Sequence, residues 1–328
     1  MSNQKKYRAL VIGAGRIASG YDNAKSTNIL THAHAFKAYP KIEFLGFYDI
    51  DQEKARQAAK KWEVEVFVDL DKAIVQNRPE IISICTPDDN HFAQLKKLAD
   101  LKIKSKIIIC EKPITTRIND TKKIIDRYRK IGVPVSVDHS RRFDKVVQNA
   151  AKTIKEGHLG KIIYSSAVYG QGILHSGSHI IDLARFFFGE VRNSRPLFKR
   201  NDYKKEDQTL GVFLEFQNCE QFYLIAGDCR QYDLFEFDIV GEKGRICFTD
   251  LGFKYFEQKV IADPVFKGYK ILSQPAIKKT NLEKAMLNLV DNAVQHIEIG
   301  QPLICDLADA AKTQKTCLSI NNNSKGIK

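Results

Sequence analysis

From Tyr7 to about Val137, short apolar runs alternate with stretches whose apolar residues recur every three or four positions. A run of four to eight apolar residues suits a strand buried on both faces, and the longer period suits an amphipathic helix. The pattern predicts strands at Arg8–Ile12, Ile42–Tyr48, Ile81–Cys85, Lys106–Cys110 and Pro134–Val137, with helices such as Gln52–Trp62 and His91–Leu101 between them. Strands alternating with helices make βαβ units, so residues 1–138 are expected to form an α/β Rossmann domain, a doubly wound parallel sheet.

Beyond Arg142 the texture changes. Strands with alternating positions are predicted at Ile162–Val168, Gly211–Phe216, Gln221–Ile225 and Phe235–Val240, separated by polar turns and without helices of their own. That pattern suits a mostly antiparallel sheet with one wet face. Helical spacing returns at Asn281–Ile297 and Asp306–Ile320, and Asn321–Lys328 reads as a frayed tail. Residues 139–328 are therefore expected to form a second, α+β domain for substrate binding and oligomerisation.

The length of 328 residues suits two domains with sizeable cores. No apolar run is long enough to cross a bilayer, and the amino-terminal run is too short for a signal peptide, so a cytoplasmic protein is expected. Seven scattered cysteines without a Cys-x-x-Cys pair read as reduced thiols, and no close-set ligand group predicts a metal. The formal charge of +13 comes from lysine pairs spread between apolar positions, among them Lys5-Lys6, Lys60-Lys61 and Lys278-Lys279. That spread argues for a solvated surface and against a nucleic-acid partner, and an anionic small substrate is compatible with it.

Four clusters carry chemistry. Gly13-Ala14-Gly15-Arg16-Ile17-Ala18 follows a strand and is expected to open a helix, the setting of a Gly-x-Gly-x-x-Gly/Ala dinucleotide turn. There Gly13 permits the tight turn, Gly15 lets backbone approach a pyrophosphate, and Ala18 lets helix pack on strand. Asp49 closes the next strand, where a carboxylate accepts hydrogen bonds from ribose hydroxyls and repels a 2′-phosphate, favouring NAD over NADP. Asp51 suits a helix cap. The polar stretch Gly20–Thr31 lengthens the gap to Asp49 and reads as an inserted loop, either a lid or a surface excursion.

Thr86-Pro87-Asp88-Asp89-Asn90-His91 and Glu111-Lys112-Pro113 follow the next strands at their carboxyl ends, where open α/β sheets bind ligands. Thr86, Pro87, His91, Glu111 and Lys112 are thus candidate cofactor contacts. Lys112 is also the candidate for polarising a carbonyl or moving a proton, in an orientation that a cis Lys112-Pro113 bond would fix. In Gly172–Leu183, the residues His175, His179 and Asp182 recur at a spacing that one helix face would collect, and His179 is the general acid/base candidate.

As a set, the glycine turn, Thr86-Pro87, Glu111-Lys112-Pro113, Arg141-Arg142-Phe143-Asp144, Gly177–Leu183 and Ile239-Val240-Gly241 with Gly244 resemble the Gfo/Idh/MocA oxidoreductases. The resemblance implies a Rossmann domain and a second domain with a large open antiparallel sheet, whose exposed face builds homodimers or homotetramers. It also implies NAD as cofactor, and Lys112, His179 and His175 as the catalytic group. Arg142, Tyr169, His175 and Asp182 are expected to meet the substrate, a sugar or nucleotide-sugar oxidised at a secondary hydroxyl. An inositol or other polyol, or a non-catalytic NAD-binding sensor, is the alternative. One position departs from the family: His175 stands where the family has Asp, so no fixed negative charge is supplied there.

Overall fold

The computed structural model describes residues 5–101 and 104–324. Contacts divide the chain into two compact units, one running to Phe143 and including Glu283–Ala311, the other Asp144–Leu282 with the chain from Lys312 onward.

The first unit contains β1 (Tyr7–Ile12), α1 (His32–Ala38), β2 (Ile42–Tyr48), α2 (Gln52–Trp62), β3 (Glu65–Phe67), α3 (Leu70–Asn77), β4 (Ile81–Ile84), α4 (His91–Asp100), β5 (Ile107–Glu111), α5 (Ile118–Ile131) and β6 (Val135–Asp138). Its sheet is parallel, in the order β3-β2-β1-β4-β5-β6. The order reverses between β1 and β4, and the carboxyl ends of strands flanking such a reversal open a crevice for ligands. Every residue of β4 and all but the last of β5 are buried, as expected of strands covered on both faces. Short polar side chains start the helices: Thr31 accepts from His34 N, Asp51 from Glu53 N and Lys54 N, and Asp69 from Asp71 N and Lys72 N.

The second unit contains α6 (Lys145–Lys155), β7 (Ile162–Tyr169), α7 (Gly177–Phe188), β8 (Val191–Lys204), β9 (Asp207–Phe216), β10 (Cys219–Ala226), β11 (Phe235–Gly241), β12 (Gly244–Thr249), β13 (Lys254–Ala262), β14 (Lys270–Leu272) and β15 (Lys278–Lys279). The sheet runs β14-β13-β12-β11-β7-β10-β9-β8, with β15 against β13. Only the β7–β10 pair is parallel among these strands. Phe187 and Phe188 of α7 enter a buried aromatic cluster with Phe216, Phe222, Phe237 and Phe248. The other face of the sheet stays open and carries Phe198, Tyr223 and Ile225.

Two helices close the chain, α8 (Ala285–Ile299) and α9 (Leu307–Asn323). The sequence places α8 in the second domain, but the structure puts it in the first unit, packed on α1. Its fully buried Leu289, Val290, Ala293 and Val294 require an apolar partner, and chain order does not say which domain supplies it. Asn321–Asn323 belong to α9 and are not frayed, and the rest of the expected tail, 325–328, lies outside the described residues. Among the described residues no helix is long and apolar enough to cross a membrane.

Candidate functional site

In the first unit the turn after β1 begins with Gly13 at φ +97°, a left-handed conformation that favours glycine. A Cβ there would stand 2.7 Å from the Cys85 carbonyl carbon and oxygen and 2.8 Å from Thr86 N. The turn therefore lies hard against the end of β4. At Gly15 the opposite holds: nothing lies within 4 Å of where its Cβ would be, which leaves the backbone open to a ligand. Gly15-Arg16-Ile17 then lead into a five-residue π-helical turn, Arg16–Gly20, in place of the full helix that the sequence predicts. Ala18 is fully buried, and Arg16 lies exposed with its guanidinium over the Tyr21 ring at 5.8 Å.

The stretch that follows is held at its base. Asp22, buried, accepts from Leu30 N at 2.6 Å and Thr31 Oγ1 at 2.5 Å, and lies 2.8 Å from His34 Nδ1. These contacts close a small surface loop between residues 22 and 30.

Asp49 lies at the carboxyl end of β2 and reaches the glycine turn, where Oδ2 accepts from Ala14 N at 2.7 Å. Its other oxygen accepts from Asp51 N at 2.9 Å. Each carboxylate oxygen has a second lone pair, so the group can still accept from a ribose. Across the turn, after β4, Thr86 presents a buried Oγ1 with no hydrogen-bond partner, and Pro87 is exposed. Open backbone at Gly15, a carboxylate at the end of the neighbouring strand β2 and the Thr86 hydroxyl at the end of β4 fit a dinucleotide laid across the strand ends.

His91 is corrected by its surroundings. It is fully buried, with Nδ1 2.6 Å from Pro113 O and Nε2 2.9 Å from Thr86 O, so it clamps the loops after β4 and β5 together from behind. Glu111 is corrected as well. Its carboxylate turns to His32 Nε2 at 3.0 Å and lies beside Asp138 instead of facing a cofactor. Burial pushes both carboxyls above the usual range and holds the His32 imidazole down to about 4. Lys112 is half-buried next to Glu111, its peptide to Pro113 is cis, and its charge partly offsets the rise at Glu111. Arg142, an expected substrate contact, is 3% exposed and pairs with Asp309, with Ile304 O at 3.4 Å. A buried guanidinium spent on a neighbouring carboxylate is a packing element of this unit.

In the second unit His175, His179 and Asp182 do not share one helix face. His175 belongs to a separate π-helical turn, Gly172–Ser176, exposed and stacked on Tyr203 with ring centroids 5.1 Å apart. His179 is half-buried in the first turn of α7. Asp182 is buried and accepts from Thr313 Oγ1 at 2.9 Å, which removes it from substrate contact. Tyr169 is removed for the same reason: it has no exposure, and its hydroxyl donates to Leu210 O and accepts from Leu210 N. Sequence reading passed over His32, Ser83 and Asp138, whose association depends on strand register and carries no local signal.

Residues 7–139 match the sequence profile of an oxidoreductase family with an NAD-binding Rossmann fold. The chain is 23% identical over 205 residues to D-apiose dehydrogenase of Paraburkholderia graminis, covering 57% of this chain and 51% of that protein. It is 29% identical over 202 residues to scyllo-inositol 2-dehydrogenase (NAD(+)) of Bacillus subtilis, covering 57% and 55%. It thus spans about half the length of these relatives. Among solved structures, an oxidoreductase of Agrobacterium radiobacter in complex with NAD+, L-tartaric acid and magnesium superposes with a TM-score of 0.79 at 17% identity, over 99% of this chain and 98% of that one. That likeness extends the shared fold through both units.

Proposed function

We propose that this chain, whose residues 7–139 match the Gfo/Idh/MocA oxidoreductase family, is a member of that family and transfers a hydride between NAD and a secondary hydroxyl or ketone of a sugar-like molecule. The observation that carries this reading is the turn at Gly13–Gly15, closed against β4 yet open over Gly15, with Asp49 reaching it from β2. Bound NAD supplies the hydride acceptor and donor at its nicotinamide. Gly15 exposes backbone to the pyrophosphate, Asp49 takes the adenosine ribose, and Thr86 Oγ1 is a further polar contact. Lys112 orients the reacting oxygen and offsets charge on it, while His179 takes and returns the hydroxyl proton.

The dehydrogenases of apiose and scyllo-inositol among the relatives support a sugar or a cyclic polyol as substrate. A nucleotide-linked or otherwise anionic sugar suits the charge of +13. Seven cysteines, six of them buried, suit a reducing cytoplasm. Incubating the protein and NAD with sugars, inositols and nucleotide-sugars, and following absorbance of the reduced cofactor, tests the reading. Turnover on one class is expected. Saturable NAD binding with no turnover on any class would instead make the chain a sensor, the reading that His175 favours, because no carboxylate stands at that position.

Asp49 sets cofactor choice. Asp49→Asn should weaken NAD binding by about tenfold, the loss of one or two charge-assisted hydrogen bonds, and narrow the preference over NADP. Titration of both dinucleotides checks this, and an unchanged ratio contradicts the role.

The open sheet face of the second unit is proposed as the surface between copies. Phe198 on β8 and Tyr223 and Ile225 on β10, the strands on either side of β9, are between 41% and 46% exposed, a patch that water covers at a cost. Tyr223→Glu with Ile225→Glu should shift the protein to monomer in light-scattering chromatography, whereas an unchanged mass places the interface elsewhere.

A further inference from the structure

Nothing in the spacing of His32, Glu111 and Asp138 along the chain suggests an association, yet the fold makes them one donor set. Glu111 and Asp138 are register partners on the neighbouring parallel strands β5 and β6, so their carboxylates leave the sheet on one face. His32, the first residue of α1, brings Nε2 to 3.0 Å from Glu111 Oε1 and 4.0 Å from Asp138 Oδ2. One donor atom from each residue lies within 4.8 Å of the others. Donors bound to a divalent metal at about 2.0–2.2 Å stand roughly 3–4 Å from one another, so a small inward movement of Asp138 completes the triangle.

Two observations set this group apart from an ordinary buried hydrogen-bond cluster. No N–H group donates to either oxygen of Asp138, although the side chain is only 1% exposed, and its polar neighbours are the Glu111 carboxyl and the Ser140 side chain. A buried carboxylate in that condition requires a proton or a cation. The second is the far side of the imidazole, where His32 Nδ1 lies 2.7 Å from Ser83 Oγ. A hydroxyl at that nitrogen is the outer contact that turns the Nε2 lone pair of a metal-binding histidine toward its ion. Two carboxylates and a neutral imidazole sum to a charge of −2, which one divalent cation cancels. Glu111, with 12% of its side chain exposed, marks the way in.

We propose that His32 Nε2, Glu111 and Asp138 bind one divalent transition-metal ion, with Zn2+ the best match to one nitrogen and two oxygen donors. The ion ties the start of α1 to the ends of β5 and β6 and steadies the backbone that carries Lys112. This structural role is independent of the oxidoreductase reading, because binding is measured without cofactor or substrate.

The test is equilibrium dialysis of the full chain, first stripped with a chelator, against Zn2+, together with thermal melting. The wild-type chain should retain one Zn2+ and melt at a higher temperature with it. Asp138→Asn, which removes a ligand charge, should weaken Zn2+ affinity by about a hundredfold. Ser83→Ala, which leaves all three ligands in place, should weaken it about ten- to hundredfold and so separates the site from simple loss of structure. No Zn2+ retained by the wild-type chain means that Asp138 holds a proton instead, and overturns the proposal. Equal affinity in the wild type and both variants places the ion on other histidines or cysteines and overturns it as well.

Discussion

Lys112→Ala is expected to lower turnover by about 10²- to 10⁴-fold, the range for loss of a group that assists proton movement or stabilises charge in the reaction. The dissociation constant for NAD should change by less than about tenfold, because backbone at the glycine turn and the Asp49 carboxylate carry most of the grip on the dinucleotide. Lys112 sits one residue past β5, where its backbone is held by the clamp of His91 on the Pro113 carbonyl. Truncating its side chain therefore removes an ammonium without loosening the loop. His179→Ala should produce a loss of the same order with NAD binding again retained, since an imidazole titrates near neutral pH and alanine cannot exchange a proton. Steady-state kinetics beside NAD titration separates the outcomes. A large loss of NAD affinity with kcat intact would show that these side chains bind and do not react.

Gly13→Ala carries the other large effect. The position has φ +97°, and an added Cβ would stand 2.7 Å from main-chain atoms of Cys85. Flexible side chains can retreat from such contacts, but the end of a central parallel strand cannot. Left-handed strain alone costs about 1–3 kcal/mol, and pushing β1 from β4 adds to it. A loss of about 3 kcal/mol or more in urea unfolding is expected, with NAD affinity lowered at least tenfold in whatever folded protein remains. Gly15→Ala is the control: its Cβ meets nothing, so stability should hold while NAD binding falls. Equal stability losses in both variants would mean that the turn is not pressed against β4.

The first domain was legible because its information is local. Ile107–Cys110 is an unbroken apolar run and Ile81–Cys85 is interrupted only by Ser83, while Gly13, Gly15 and Asp49 stand at the ends of the strand-like runs Arg8–Ile12 and Ile42–Tyr48. Strands without that signature escaped notice. β3 has three residues, one of them a glutamate, and β8 is the outermost strand of its sheet, rich in arginine and lysine and containing Pro196. Charges and proline suit an edge that must not recruit another strand, and they erase the apolar alternation by which a strand is recognised.

The site was legible in part, for the same reason. Residue type singled out the glycine turn and Lys112, which lie at strand ends in the structure, but it could not show which polar side chains face inward. His91, Arg142, Tyr169 and Asp182 are buried and spent on carbonyls, a carboxylate, a main-chain pair and a threonine hydroxyl respectively. The converse holds for His32, Ser83 and Asp138. Their meeting is a product of register between β4, β5 and β6 and of where α1 begins, and no window of sequence contains it.

Calorimetric titration of the wild-type protein with NAD, and in parallel with NADP, bears most directly on the claim that the turn after β1 and the carboxylate after β2 grip a dinucleotide. Saturation at one NAD per chain, with NADP at least tenfold weaker, is the predicted result. Absence of saturable NAD binding, or tighter binding of NADP, would contradict it.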